Sequence, residues 1–523
     1  MRWRRDVGPT VPAGDRERGT ALSTGESVPS AKLTRREVNI VIAGCITAMS
    51  LSSIDSTAVN TALLRMVTEL GGISAYTWVG TAYLLTSTAA MMVFGKLSDL
   101  FGRRLLFQIA LLVFIVGSIG SATAQTMTWL VGARALQGIG GGGLQALTFT
   151  IIADLVAPRE RARYGGITTA VFAVMSVIGP LFGGFVTQHL TWRWIFWVNL
   201  PLGAVAFTVV GRTLRLPFNR GDKKVDYVGS TLVVTSVVLI VLAMTWMPDE
   251  FGWKSAATIT TAVTGVALGA FFVWYERKPA EPVVPLHLFR NPVVVQSLLL
   301  NSVAGCTLVV VSAFLPLFLQ AVTGYSPTKA GLLMVPNIIA ISAAANISGR
   351  SIARTGRYRW WPIAGSIFVT TAMVMFTGVE RSGVAFVMIW PALVVLGLGI
   401  GTSMPPATVT LQNAVETWEM GIATSLMQFT RSLLSTLSLA GFGAILNSRL
   451  AKIDPKYLRS PKEIAALPPA QRNDVLDTLA NAITYVFRYT IPLGVVVFVL
   501  AIVAKELPLR TESAHGFEVE AIA

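Results

Sequence analysis

Long apolar segments separated by short polar ones follow one another along the chain from residue 38 to residue 504. Fourteen of them reach the length at which an apolar segment predicts a membrane-spanning helix. Period-two alternation is absent, and a helix satisfies its own backbone hydrogen bonds in lipid, so we predict helices rather than strands. The predicted spans are 38–63, 76–95, 105–124, 128–153, 164–187, 195–213, 228–247, 256–275, 294–319, 328–348, 361–379, 384–405, 420–446 and 485–504.

The polar segments divide the chain into units. The first 36 residues contain eight Lys and Arg residues and no apolar core, which predicts a disordered tail. The predicted units are this tail at 1–36, a six-span block at 37–213, an inserted pair of spans at 214–276, a second six-span block at 277–505 with a long outer loop at 447–484, and a second tail at 506–523.

Composition and charge support a membrane protein. Of the 523 residues, 53% are hydrophobic and only 13% are charged, whereas soluble domains carry about twice that charged share. The net charge is +15, and the basic residues are unevenly distributed between the two sides of the membrane. If the chain crosses the membrane at each span, 28 Lys and Arg residues lie on the side of the first tail and 12 lie on the other side. Basic loops stay in the cytoplasm, so we predict a multi-pass protein of the cell membrane with both termini cytoplasmic. The charge therefore indicates topology and contact with anionic lipids, not nucleic acid.

The sequence offers no sign of enzymatic chemistry. Cys45 and Cys306 fall inside predicted spans, which favours small packing residues over a disulfide or a metal site. The glycines at 138–143 lack the GK[ST] ending of a phosphate-binding loop and lie in a span, which favours helix packing. We therefore predict no catalytic residues, no metal and no cofactor, and no ATP-driven step.

A polar turn recurs in the two six-span blocks. GKLSDLFGRR at 95–104 joins spans 2 and 3, and GRSIARTGRYR at 349–359 joins the corresponding spans of the second block at a constant offset of 254. Blocks repeated in this way form parallel repeats about the membrane normal, which is a transporter architecture. We predict an all-α polytopic membrane protein with two six-helix bundles and two extra transmembrane helices.

Glycine in this turn permits close helix approach, the cations hold the turn at the inner surface, and the acid would pair with a cation or cap a helix. The second copy has Ala353 in place of the acid, so the two halves should differ at this hinge. The candidate residues of the turn are Gly95, Asp99, Gly102, Arg103 and Arg104.

Asp55 is the only acid deep in any predicted span, and an ionisable group in a bilayer indicates function. It would load and release a proton; the alternative is an Asp bonded to neighbouring helix backbone. Arg134 lies at a similar depth in span 4, where its permanent charge can respond to a nearby acid. The alternative for Arg134 is a side chain that extends to the outer surface.

Span 5 contains the segment IGPLFGG, whose candidate residues are Gly179, Pro180, Gly183 and Gly184. Proline removes a backbone donor and bends a helix. We expect the small residues to bring the two bundles together as a hinge or seal; the alternative is ordinary helix packing.

Arg431 lies near the midplane of span 13, with no acid at that depth in the second half. Either amides such as those of Asn301 and Gln428 neutralise it, or it meets a substrate or water in a cavity. A permanent cation disfavours cationic substrates beside it, so we expect these to bind nearer the first bundle.

Taken together, these segments resemble signatures of the major facilitator superfamily. GKLSDLFGRR is similar to its signature between spans 2 and 3, RALQGIGGGG at 134–143 to its span-4 signature, and IGPLFGG to its span-5 antiporter signature. Leu64, Met175 and Ala353 depart from the usual pattern. The segments that resemble the fourteen-span drug:proton antiporter family within it are SIDSTAVNTALL at 53–64, WRWIFWVNLPLG at 192–203 and FLPLFLQAVTGYSPTKAGLLMVP at 314–336.

The resemblance implies two bundles that rock around a central cavity and export hydrophobic, often cationic, small molecules in exchange for protons. It places spans 1 and 4 in one bundle, so Asp55 and Arg134 would form the proton-coupling pair, with a cationic substrate competing for the carboxylate after protonation. The expected partners are an amphipathic or lipid-like substrate, protons and membrane lipids, with the chain acting as a monomer driven by the proton gradient.

Two other functions stay open. A lipid or lipid-precursor exporter would use the same fold and would be favoured by an apolar lateral opening between the bundles. A non-transporting membrane receptor would not need a buried acid with an arginine at matching depth.

Cysteine labelling tests the predicted topology. Ser30→Cys and His515→Cys should resist an impermeant thiol reagent in intact cells because both tails are predicted to be cytoplasmic. Ser460→Cys, in the predicted outer loop, should react under the same conditions. Reaction of the parent chain gives the background from the two native cysteines. Labelling of residue 30 from outside the cell would contradict the predicted orientation.

Overall fold

The computed structural model describes residues 34–70, 76–156, 158–214, 226–279, 282–325, 327–378, 384–416, 419–450 and 467–503. Within these ranges the chain is helical, with a 3-10 turn at Leu286–Arg290 and no strand. The helices are α1 (Arg35–Leu70), α2 (Tyr76–Phe101), α3 (Arg103–Ala122), α4 (Met127–Leu155), α5 (Pro158–His189), α6 (Trp194–Trp197), α7 (Asn199–Thr213), α8 (Tyr227–Thr245), α9 (Met247–Phe251), α10 (Ala256–Tyr275), α11 (Pro292–Ala321), α12 (Pro327–Leu333), α13 (Val335–Thr355), α14 (Trp360–Thr377), α15 (Val384–Ala414), α16 (Met420–Leu450) and α17 (Pro469–Val503).

In the described part of the chain, twelve helical segments are long and apolar enough to cross a membrane. The all-helical membrane protein is thereby confirmed. The predicted spans 4 and 5 correspond to α4 and α5, which have 29 and 32 residues but are not among the twelve. Charges and many glycines dilute the apolar character of both helices.

Two boundaries differ from those expected. Helix α1 continues to Leu70, beyond the predicted end of span 1. Helix α17 begins at Pro469, so the end of the predicted outer loop 447–484 is continuous with the last span. The tail at 506–523, residues 1–33 of the first tail, and residues 451–466 of the loop lie outside the described residues.

Helices α1 to α7, here called the amino-terminal helices, share a core in which Phe107, Phe114 and Leu144 are fully buried. The predicted packing role of the glycines in α4 agrees with their surroundings. A Cβ at Gly142 would overlap the backbone of Ser87 on α2, and one at Gly140 would overlap the backbone of α3. The absence of side chains at these positions therefore lets α2 and α3 lie directly against α4.

Helices α11 to α17, here called the carboxy-terminal helices, share a second core, in which Phe376 of α14 packs against Phe487 of α17. The inserted helices α8 and α10 contact each other, where Ser236 donates a hydrogen bond of 2.8 Å to the Gly265 carbonyl. Their apolar side chains join a third core with residues of α2 and α16. The inserted pair thus packs against both groups of helices.

Both copies of the repeated turn contain a glycine with a positive φ angle. Gly102, between α2 and α3, has φ = 92°, and Gly356, at the end of α13, has φ = 70°. These residues are related by the sequence offset of 254, and non-glycine residues rarely adopt such angles. The repeat seen in the sequence therefore has a structural counterpart.

The glycines of IGPLFGG pack within the amino-terminal helices, which agrees with the alternative of ordinary helix packing. Gly179 faces Thr57, and a Cβ at Gly183 would lie 2.9 Å from Ala58 Cα, so this part of α5 packs on α1 within the amino-terminal helices. Helix α5 continues through Pro180, and Gly184 has no neighbouring atom within 4 Å of an added Cβ. Glycines earlier in α5 meet the carboxy-terminal helices: Gly166 lies against the backbone of Ala345 on α13, and Gly165 faces Pro405 on α15.

Gly183→Ala should therefore separate α1 from α5. We expect a loss of about 1–3 kcal/mol in stability, because an added methyl in a tight backbone contact forces the helices to shift. Thermal unfolding of the purified protein measures the loss. Gly184→Ala is the matched control and should unfold like the parent, since open space surrounds its Cβ. Equal stability of both variants would mean that this part of α5 is not closely packed.

Candidate functional site

Asp55 on α1 and Arg134 on α4 form an ion pair inside the amino-terminal helices. Arg134 Nη1 donates to Asp55 Oδ2, and each residue is 1% exposed. The guanidinium carbon lies 4.3 Å from the centroid of the Tyr83 ring on α2. Both residues predicted for proton coupling are thus brought into direct contact, and neither extends to a helix end.

Three further polar side chains complete a network around this carboxylate. Gln137 Nε2 donates to Asp55 Oδ1 at 2.9 Å, and Asn199 Nδ2 donates to the same oxygen at 3.1 Å. Both amides also donate to Ser118 Oγ, at 2.6 and 3.0 Å. Since Arg134 holds the second oxygen, both carboxylate oxygens accept hydrogen bonds.

The network needs α3 to lie directly against α4. A Cβ at Gly117 would lie 2.5 Å from Gln137 Cα, so only glycine allows this approach. The neighbouring Ser118 then reaches the amides of Gln137 and Asn199. The site therefore combines side chains from α1, α3, α4 and the start of α7.

A second chain of contacts leads from Arg134 toward the middle of the protein. The hydroxyl of Tyr83 lies 2.8 Å from Ser52 Oγ, and Gln145 Nε2 donates to that same Oγ at 3.4 Å. Gln145 lines the central cavity described below. The buried ion pair and the cavity are therefore connected through polar side chains of α1, α2 and α4.

The central cavity lies between the two groups of helices, and Asn301, Gln428 and Arg431 all line it, as one of the two sequence alternatives predicts. Asp55 does not line it, so direct competition between a substrate and a proton for this carboxylate does not fit this arrangement. The residues that line the cavity are Met49, Gln145, Phe149, Thr168, Thr169, Phe172, Asn301, Leu308, Ile341, Met404, Thr408, Gln428 and Arg431.

The turn between α2 and α3 forms a third polar cluster, at the predicted cytoplasmic side. Arg103 is paired with Asp99 and, through its Nε at 2.7 Å, with Asp154 at the end of α4. A Cβ at Gly421, in the first turn of α16, would overlap Asp99 Oδ1 and the Arg103 guanidinium. The Asp99 carboxylate therefore lies at the positive end of the α16 dipole.

The other predicted residues of the turn have different surroundings. Gly95 faces Ser425 on α16, where any side chain would overlap the serine. Gly102 supplies the positive φ, and Arg104 is exposed. Four of the five candidates thus take part in the turn or its contact with α16, and Arg104 does not.

Sequence reasoning missed Gln137, Asn199, Ser118 and Asp154. Two of them lie inside segments already singled out, because Gln137 is three residues after Arg134 and Asn199 belongs to WRWIFWVNLPLG. A polar residue one helical turn from a buried arginine was the available signal. Ser118 and Asp154 had no comparable signal, since their roles depend on which helices meet.

Comparison with known proteins identifies the family. Residues 45–439 match the Major Facilitator Superfamily. An uncharacterised transporter of this superfamily from Mycobacterium tuberculosis is 33% identical over 96% of this chain and 74% of its own. The multidrug transporter protein MdtP of Bacillus subtilis is 32% identical over 84% of this chain and 82% of its own.

A solved structure has the same fold. The human organic anion transporter MFSD10 covers 89% of this chain and 99% of its own with a TM-score of 0.61, at 13% sequence identity. At that identity the likeness establishes the fold alone. With the sequence match over three quarters of its length, the chain belongs to the Major Facilitator Superfamily and is a multi-pass membrane transporter, not an enzyme.

Proposed function

We propose that the chain is a proton-driven exporter of amphipathic small molecules that works by alternating access. The observation that carries the proposal is the fully buried Asp55–Arg134 pair, connected through Tyr83 and Ser52 to a cavity between the helix groups. The name of the multidrug relative supports drugs rather than lipids as substrates. In this proposal the chain has fourteen spans in two six-helix bundles with the inserted pair, and both termini lie on the cytoplasmic side of the cell membrane.

Protonation of Asp55 would change the charge balance of the site. The ionised carboxylate balances the permanent charge of Arg134, and a protonated one leaves a buried cation without compensation. An added proton would also weaken the three hydrogen bonds that the ionised carboxylate accepts, because a neutral acid is a weaker acceptor than an anion. The unprotonated and protonated forms therefore favour different arrangements of α1, α3 and α4.

The change would reach the substrate through Tyr83, Ser52 and Gln145 rather than by shared occupation of the carboxylate. The ring of Tyr83 lies against Arg134, and its hydroxyl contacts Ser52, so movement of the guanidinium displaces both. Gln145 then changes its position in the cavity wall. Coupling in this proposal is indirect.

The turn between α2 and α3 would control access at the cytoplasmic side. Asp99 at the start of α16 and Gly95 against Ser425 bring α2 directly against α16 at that end. Opening would separate α2 from α16 and remove the carboxylate from the helix terminus. The turn would thus set the balance between states rather than bind the substrate.

Proton release tests the role of Asp55. A substrate is first identified by drug susceptibility of a host that lacks its own exporters, with and without this chain. Binding of that compound to the purified, detergent-solubilised protein should release protons from the parent, whereas Asp55→Asn should release none because an amide does not titrate. Asp55→Glu, which keeps a carboxyl group, should retain part of the release.

Asp474→Asn is the matched control, because it removes an exposed carboxylate on α17. Its proton release should equal that of the parent. Substrate-induced thermal stabilisation of every variant checks that the cavity still binds. Parent-like proton release from an Asp55→Asn protein that binds substrate would place the proton carrier elsewhere.

Asp99→Asn should slow transport while substrate affinity stays close to that of the parent. An anion at a helix amino terminus contributes up to about 2 kcal/mol in a partly buried geometry, so its loss should shift the balance between states by up to about thirtyfold. Uptake into inverted vesicles with an imposed pH gradient gives the rate, and binding in detergent gives the affinity. Arg104→Gln, in the same turn but exposed, should transport normally; a normal rate for Asp99→Asn would exclude the proposed control.

A further inference from the structure

The central cavity contains one cation that is positioned from two sides. The stem of Arg431 on α16 lies against Gly305 on α11, where a Cβ would be 2.6 Å from Arg431 Cγ. The guanidinium carbon lies 5.4 Å from the centroid of the Phe172 ring on α5. Gly305 and Phe172 thus direct the guanidinium into the space between the two groups of helices.

Arg431 has no compensating partner among the described residues. Its Nε is buried and makes no hydrogen bond, and no Asp or Glu occurs among the described residues that line the cavity. This differs from Arg134, whose charge Asp55 balances. Arg431 is half-buried, and a guanidinium partly removed from water without an anion is unfavourable, so the site favours an anionic ligand.

Asn301 supplies a second unused donor in the same cavity. Its side chain is 3% exposed, and its Nδ2 has no hydrogen-bond partner. Both unpartnered atoms, Arg431 Nε and Asn301 Nδ2, carry hydrogens and donate. Two donors and a single positive charge match a planar monoanion with two acceptor oxygens.

We propose that the central cavity binds the carboxylate of an amphipathic aromatic acid, with Arg431 and Asn301 as its donors. The inference rests on the proposed function, because it takes this cavity as the substrate site. The apolar body of the ligand would lie against Phe149 and Phe172, and the threonines of the wall would hydrogen-bond its polar substituents. A hydrophobic cation would be repelled from this part of the cavity.

Three probes with one apolar body and different charge test the proposal. They are 4-biphenylcarboxylate, the neutral 4-biphenylcarboxamide and 4-biphenylyltrimethylammonium, titrated against the purified full chain with thermal stabilisation as the readout. The carboxylate should bind at least about tenfold more tightly than the trimethylammonium compound, the gain typical of a charge-assisted hydrogen bond. Short-chain phosphatidic acid is a fourth probe, and it tests whether the site binds a lipid headgroup rather than a free organic acid.

Substitutions distinguish the contributions of the two donors to binding. Arg431→Gln should remove the preference for the carboxylate over the carboxamide. Asn301→Leu should weaken both of these probes by a similar factor, since it removes a neutral donor. Arg449→Gln is the matched control on the same helix, where the side chain lies over the Tyr485 ring outside the cavity, and it should bind all probes like the parent.

The outcomes distinguish this inference from the proposed function. Preference for the trimethylammonium probe, or a carboxylate preference that survives Arg431→Gln, overturns the inference and leaves proton-driven export intact. Failure of every probe to stabilise the parent overturns the inference together with the cavity as the substrate site. A carboxylate preference in a protein that shows no substrate-induced proton release supports the inference and contradicts proton coupling.

Discussion

The structure depends on the neutralisation of one arginine inside an array of apolar helices. Arg134 carries a permanent charge at 1% exposure and donates hydrogen bonds to Asp55 and to the amide oxygen of Gln137. A buried pair of this kind is expensive to desolvate and gives little net stability, so its presence argues for a role other than holding the fold together. Its geometry nevertheless constrains the fold, because side chains of α4 and α7 must reach one carboxylate on α1, and Ser118 of α3 must reach the two amides.

Helix α4 connects that pair to the cavity. Arg134 and Gln145 are 11 residues apart on it, or about 16 Å along the helix axis. The glycines between them bring α2 and α3 against its backbone, and a Cβ at Gly141 would overlap the Tyr83 hydroxyl. The segment of α4 between the ion pair and the cavity is therefore closely packed, and dense packing transmits displacement rather than absorbing it.

The sequence predicts much of this arrangement because lipid imposes strong rules. Span length, loop charge and the rarity of buried ionisable groups identified the helical membrane fold, Asp55 and Arg134 before any contact was known. For Gly179 and Gly183 the same reasoning left two alternatives, contact between the helix groups and ordinary helix packing, and these glycines pack on α1. A small residue predicts a close contact with another helix. The identity of that helix depends on the tertiary structure, which a single sequence does not specify.

The acid that distinguishes the two copies of the polar turn lies at a contact between the helix groups. Asp99 lies at the amino terminus of α16, and its counterpart in the second copy is Ala353. Helix α16 also carries Arg431 in the cavity wall, ten residues from Gly421. Next to Arg431, Ser432 is hydrogen-bonded at 2.9 Å to Thr88 on α2. The contact of α2 with α16 thus connects the predicted cytoplasmic closure to the cavity. Only the first copy of the turn contributes an acid to that closure.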